Sequence, residues 1–229
     1  MLGVVTLGAC DSDTTSDDSS GGSGSTENKI TDDYDTNQIK SKLAELRNAN
    51  GYKITYKVEV SSNDEEETVY ITSAATENIL YYKDSEGNES YYDLSSETQC
   101  VCYSKSSSES EWSTTTIPYT DEINKSHYEE FAYAVSFGYM SSYSSVAIDG
   151  EFNKSTTTIA GRSCDKYSYD ESYLNVYTLH YEVCVDKATG VCLKWSASAS
   201  ESVSGESGSE NFECTEFLTS VTLELPVVA

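Results

Sequence analysis

The clearest pattern in the chain is an alternation of apolar and polar positions between residues 181 and 195. The apolar positions on either side of a short turn are Tyr181, Val183, Val185, Val191, Leu193 and Trp195. A period of two is typical of strands that bury one face. Asp186 can start a turn, and Gly190 can close it with a positive φ angle, because it has no Cβ to clash. The pattern therefore predicts a β-hairpin in this stretch.

The same hairpin suggests a cysteine pair. The apolar residues of both strands have odd numbers, so they share one face only if odd-numbered residues pair with odd-numbered ones and even-numbered residues with even-numbered ones. One register of this kind places Cys184 opposite Cys192. A cross-strand pair can come within the Cα separation of a disulfide. Six cysteines allow fifteen disulfide connectivities. Cys184–Cys192 is the one pair that the local sequence pattern supports. Besides Cys10, the six are Cys100, Cys102, Cys164, Cys184, Cys192 and Cys214. Free thiols remain the alternative to disulfides. Metal binding is a rival explanation, but we predict no metal site, because Cys100-x-Cys102 lacks the two-residue spacer of zinc knuckles.

Other periodic segments surround the hairpin. Ile39, Leu43 and Leu46 recur at helical spacing and predict a helix from about residue 36 to Asn50-Gly51. A second helix is predicted at about residues 121–137, where acidic residues precede apolar positions at helical spacing. Alternation and turn residues predict strands at 52–60, 69–71, 79–83, 90–94, 99–103, 112–117, 155–167, 174–185, 191–199, 212–217 and 221–225. The sequence thus predicts two helices and roughly ten strands.

Composition narrows the fold class and the partners. Nineteen tyrosines and only two prolines suit half-exposed strands, which favours an antiparallel sheet. The formal charge of -25 would repel nucleic acid and an anionic membrane surface. No nucleic-acid partner is therefore expected, and any membrane attachment needs something other than a basic patch.

The N-terminal segment predicts a location. Leu7-Gly8-Ala9-Cys10 resembles the lipobox of bacterial lipoproteins, in which the cysteine is lipidated and becomes the mature N-terminus. The resemblance implies a truncated signal peptide at residues 1–10, lipidation of Cys10, and an extracytoplasmic domain anchored to a bacterial membrane. Residues 11–35 are acidic and Ser/Gly-rich, without apolar periodicity, and predict a flexible tether. The folded domain is expected at residues 36–229.

Several short motifs resemble the lipoprotein-carrier superfamily that includes LolA, LolB and LppX. They are Gly161-x-x-Cys164-x-x-Tyr167, Val185-Asp186-Lys187-x-Thr189-Gly190 followed by Leu193-Lys194, and Phe212-x-x-Thr215-x-Phe217. The resemblance implies a mainly β α+β fold: a strongly curved antiparallel sheet, or half-barrel, with two helices over its concave face and acyl chains held between them. On physical grounds alone, the expected ligand-lining residues are Tyr52, Ile54, Tyr56, Val183, Val185, Leu193 and Trp195. The alternative is that these rows simply form the core.

No catalytic residues or cofactor are predicted. The chain has two histidines, His127 and His180, and neither has a serine or cysteine neighbourhood that the sequence alone supports as a nucleophilic site. Two hypotheses follow. The domain either binds a lipid or another apolar ligand in its concave face, or it is a cell-surface interaction module that meets a protein, glycan or cation through its acidic, Tyr-rich exterior. The two hypotheses differ in the interior of the half-barrel: an open interior would favour ligand binding there, and an interior filled by the protein's own side chains would favour the interaction module.

Overall fold

The computed structural model describes residues 36–62, 65–121, 123–128, 153–174 and 176–228. These residues form one helix, α1 (Thr36–Ala49), a helical turn at residues 125–128, and eleven strands. The strands are β1 (Tyr52–Ser62), β2 (Glu65–Ala75), β3 (Ile79–Lys83), β4 (Glu89–Asp93), β5 (Gln99–Lys105), β6 (Ser113–Pro118), β7 (Asn153–Ile159), β8 (Arg162–Tyr173), β9 (Tyr177–Asp186), β10 (Cys192–Glu201) and β11 (Ser207–Leu218).

All eleven strands belong to a single sheet in the order β6-β5-β4-β3-β2-β1-β11-β10-β9-β8-β7. Every neighbouring pair is antiparallel. The first and last strands pair at the centre, while β6 and β7 end the sheet without closing it. The predicted fold class, a mainly β α+β half-barrel, is confirmed.

The hydrophobic core lies against the concave, inner face of this sheet. Along β1 the even-numbered residues from Tyr52 to Val58 are buried, and the intervening residues are half exposed. Leu43 of α1 belongs to the same core cluster. The alternating pattern therefore defines an inner face covered by α1 and an outer face that carries Lys53, Lys57 and Glu59.

The predicted continuous strand at residues 155–167 is wrong. The chain turns at Ala160 and Gly161, so that β7 and β8 form a hairpin in which Ile159 pairs with Arg162. Both turn residues have positive φ angles, 48° and 75°. Two successive positive φ angles define a type I′ turn, whose twist matches that of the flanking strands. The prediction failed because Ala-Gly is a weak turn signal compared with Asn-Gly.

Three further predictions differ from the structure. Lys194, rather than Cys192, lies opposite Cys184, because an irregularity between Cys192 and Lys194 shifts the register. Residues 221–225 form no strand; the backbone N of Val221 bonds the carbonyl of Asn50, next to the end of α1. The predicted second helix is described only at residues 125–128, four residues later than its expected start, and the remainder lies outside the described residues.

Candidate functional site

The seven predicted ligand-lining residues all lie in the hydrophobic core. Their exposed fractions range from 0% to 7%, and they belong to one cluster with Leu43. The Tyr56 hydroxyl donates to the carbonyl of Cys192 at 2.9 Å, which links β1 to the start of β10. The structure thus brings the two apolar rows together as predicted, with closely packed side chains around them. Their role as ligand lining stays a prediction.

The structure contains the six cysteines of the domain in the reduced form, and five of them are buried. Burial raises the pKa of Cys100, Cys184 and Cys214 to about 12. These thiols are therefore protonated at neutral pH and poorly nucleophilic. The predicted Cys184–Cys192 disulfide stays a prediction, without the directly opposed register that suggested it. Cys10 lies outside the described residues.

The outer face carries a network of charges across β8, β9, β10 and β11. Glu182 accepts from Lys166 and, at 2.9 Å, from Lys194, which also lies 3.8 Å from Glu213. Burial alone would raise the pKa of Glu182, but the two lysines outweigh it and lower that pKa. These charged groups are paired with one another across the strands. The network therefore stabilises the outer face and is a poor candidate for a binding site.

A polar pocket of about 310 Å³ opens farther along the same outer face. Its hydroxyl groups come from Ser61, Thr178, Ser198, Ser200, Ser207 and Ser209. His180 also lines it, and the Nδ1 atom of His180 lies 2.6 Å from Oδ1 of Asp170. Because β1, β11, β10 and β9 are adjacent, residues far apart in sequence meet in this pocket.

A second feature of the outer face is an aromatic cluster. The ring centroids of Tyr81 and Tyr91 are 4.7 Å apart, and those of Tyr91 and Trp112 are 5.4 Å apart. Lys105 lies 4.8 Å above the Trp112 ring and 3.2 Å from Glu89, which also accepts from the Tyr81 hydroxyl. The rings are tilted against each other, and the polar groups beside them bond one another. The cluster is therefore a cross-strand stabilising element.

The described residues limit the chemistry of the site. Among them, no group of three or more His, Cys, Asp or Glu residues could hold a metal ion. Within the same residues, no helix has the length and apolar character needed to cross a membrane.

The pocket was not predicted from the sequence. Its signal is weak, because serine and threonine are common throughout the chain. Asp170 and His180 are ten residues apart and meet only because β8 and β9 are direct neighbours in which the two residues pair. Ser61 reaches the pocket through the pairing of β1 with β11, across 148 residues from Ser209. Local patterns do not encode such pairings.

Comparisons with known proteins give distant structural matches. No family model matches the chain, and no curated protein matches it. Solved structures similar to it include MucB in complex with MucA(peri), at 17% identity over 83% of this chain, with a TM-score of 0.28. The chain spans only 58% of that MucB chain.

Two further matches cover a similar share of this chain and most of their own. A DUF1329 family protein from Desulfovibrio piger is 7% identical over 81% of this chain and 92% of its own, with a TM-score of 0.28. A putative outer membrane lipoprotein-sorting protein domain from Vibrio parahaemolyticus is 11% identical over 82% and 93%, with a TM-score of 0.18. At these scores the likeness carries no inference about function.

Proposed function

We propose that the protein is a non-catalytic, extracytoplasmic binding protein, anchored to a bacterial membrane through a lipid on Cys10, that recognises its ligand with the outer face of the sheet. The sequence left two hypotheses open. This proposal adopts the interaction module and rejects the carrier of a lipid or another apolar ligand.

The packing of the inner face carries this proposal. Ile54 and Leu193 are 0% exposed, and all seven expected lining residues are packed in one core cluster. Among the described residues these side chains pack against one another, so an acyl chain could enter between them only by separating them. Within the part of the chain that the structure describes, the outer face presents a pocket of about 310 Å³ that is open to solvent.

The tether and the charge fit an anchored domain. The formal charge of -25 repels an anionic lipid surface, so the domain is expected to stand away from the membrane. An acidic, Ser/Gly-rich segment such as residues 11–35 provides the required reach. Because the basic groups are few, the covalent lipid on Cys10 is the attachment.

Mass spectrometry tests both parts of the proposal. The full chain is expressed behind a complete lipoprotein signal, together with a Cys10→Ser variant. We expect a covalent lipid mass on the wild-type protein and its absence from the variant. Native spectra of the soluble variant should match the denatured mass, with no acyl lipid bound. A lipid that leaves the variant on denaturation would establish the carrier hypothesis instead.

A further inference from the structure

We propose that the outer-face pocket binds the ring of a neutral saccharide, with His180 as its central hydrogen-bonding group. This inference rests on the proposed function, because it names the ligand class for the same outer face.

The pocket is built on a row of directly paired residues that crosses five strands. Asp170 pairs with His180, His180 with Ser198, Ser198 with Ser209, and Ser209 with Ser61. Paired residues on one face of a sheet have Cβ atoms about 5 Å apart. The row therefore presents a short, ordered array of polar groups along one face of the sheet.

The lining chemistry selects a neutral ligand rich in hydroxyl groups. Each serine or threonine hydroxyl has one donor and two acceptor positions, so it can match a ligand hydroxyl in either role. The Oγ atoms of Ser61 and Ser209 lie 2.8 Å apart, which orients both while leaving acceptor positions for a ligand. The lining contains no large apolar side chain that would bury an acyl chain.

The charge and size of the pocket exclude other classes. No lysine or arginine lines it, and the formal charge of -25 disfavours phosphates and acidic sugars. Its volume of about 310 Å³ is at the small end of the range for small-molecule sites, roughly 300–1,000 Å³. One saccharide ring is a suitable occupant.

Asp170 is a positioning residue for His180. Oδ1 of its carboxylate lies 2.6 Å from Nδ1 of the imidazole, which favours one orientation of the ring and leaves Nε2 as the ring's second hydrogen-bonding atom. Although an Asp-His pair beside serines resembles a hydrolytic triad, the Asp170 and His180 side chains are 67% and 43% exposed. Catalytic carboxylates of that kind are buried. The arrangement suits binding rather than covalent catalysis.

Saturation-transfer NMR tests the proposal on the full chain carrying Cys10→Ser. The probes are glucose, galactose, mannose and N-acetylglucosamine, and short oligosaccharides of each. We expect transfer to at least one of these sugars. Binding of the monosaccharide would identify a free sugar as sufficient, and binding of the oligosaccharide alone would identify a glycan chain. No transfer to any probe would overturn the proposal.

Matched variants locate the binding. Ser209→Tyr fills the pocket and should abolish transfer. Ser113→Tyr is the matched control, because Ser113 makes an equivalent exposed Oγ–Oγ contact with Ser104 at 2.9 Å, between β5 and β6. Ser113 does not line the pocket, so this variant should retain transfer. His180→Ala should weaken binding roughly fivefold, as expected for one lost hydrogen bond, and Asp170→Asn should weaken it less. Equal transfer in the two tyrosine variants would place the sugar elsewhere and overturn the assignment.

The two proposals fail separately. If native spectra show no bound lipid and no sugar binds, the saccharide inference fails while the outer-face function stands. If an acyl lipid is bound in the interior, the proposed function fails, and with it the inference that rests on it.

Discussion

Asp186 shows how one buried side chain can fix a turn. Its carboxylate is 2% exposed and accepts from Arg162 Nε at 3.0 Å and Arg162 Nη2 at 2.8 Å. It also accepts from the backbone N of Thr189 at 3.0 Å and from Thr189 Oγ1 at 2.6 Å. Asp186→Asn should lower the free energy of unfolding by about 3 kcal/mol, because Arg162 loses a charged partner in a largely buried setting. Urea denaturation at pH 7 measures the change.

Asp165 provides the matched control at the residue scale. Its carboxylate lies 3.2 Å from Lys187, with 30% and 43% of the two side chains exposed. Solvent screens such a pair, so Asp165→Asn should cost less than about 1 kcal/mol. Similar losses in both variants would mean that burial of the Asp186 carboxylate does not decide its contribution.

At the scale of elements, sequence patterns predicted the strands better than their connections. The alternation from residue 52 to 60 gave β1 its start, and β3 was predicted with its observed bounds. The shift between Cys192 and Lys194 was not predictable, because Val191, Leu193 and Trp195 alternate in the sequence as they would in a regular strand, whereas in the structure Cys192 and Leu193 are both buried. Residues 221–225 alternate like a strand but form none, because β1 already has β2 and β11 as neighbours.

The hairpin of β7 and β8 carries a prediction of its own. Ala160 has a φ angle of 48°, and an L-residue with a Cβ is strained in that region by about 1 kcal/mol. Asparagine tolerates positive φ and is favoured before glycine in type I′ turns. Ala160→Asn should therefore raise the free energy of unfolding by about 1 kcal/mol, measured as a higher urea midpoint with an unchanged slope.

Ala188 is the corresponding control. It is exposed in the turn between β9 and β10, and its φ angle is not among the positive ones. Ala188→Asn should leave stability within about 0.5 kcal/mol of the wild type. A gain at Ala188 that equals the gain at Ala160 would argue that the backbone angle is not the cause.

At the scale of the molecule, the first and last strands meet in the middle of the sheet. β1 pairs with β11, and this contact both completes the core and assembles the outer-face pocket. Many local patterns that agreed with one another predicted an antiparallel sheet with two helices, and the resemblance to the lipoprotein carriers implied its curvature into a half-barrel. The candidate pocket was not predicted, because it depends on a few pairings between distant segments.

The buried thiols make a prediction for the whole molecule at alkaline pH. The pKa of Cys100, Cys184 and Cys214 is raised to about 12 from an ordinary value of 9.0, with burial as the largest cause. Between these values the unfolded chain releases thiol protons that the folded chain keeps. The unfolded state then binds fewer protons, so the free energy of unfolding falls as pH rises above about 9. Burial raises the pKa of Tyr92 to about 12 as well, which acts in the same direction.

A comparison of reduced and oxidised protein isolates the thiol contribution. In reductant, the urea midpoint of the Cys10→Ser chain should fall steeply between about pH 9 and 10.5. If oxidation joins the cysteines as disulfides, the thiol protons are gone, and only the shallower contribution of the buried tyrosines remains. Equal slopes in the two samples, together with a mass that shows six reduced cysteines in both, would mean that the protein keeps its thiols free even under oxidising conditions. Equal slopes with a loss of six hydrogens on oxidation would instead mean that the thiols contribute little to the pH dependence, which contradicts their burial.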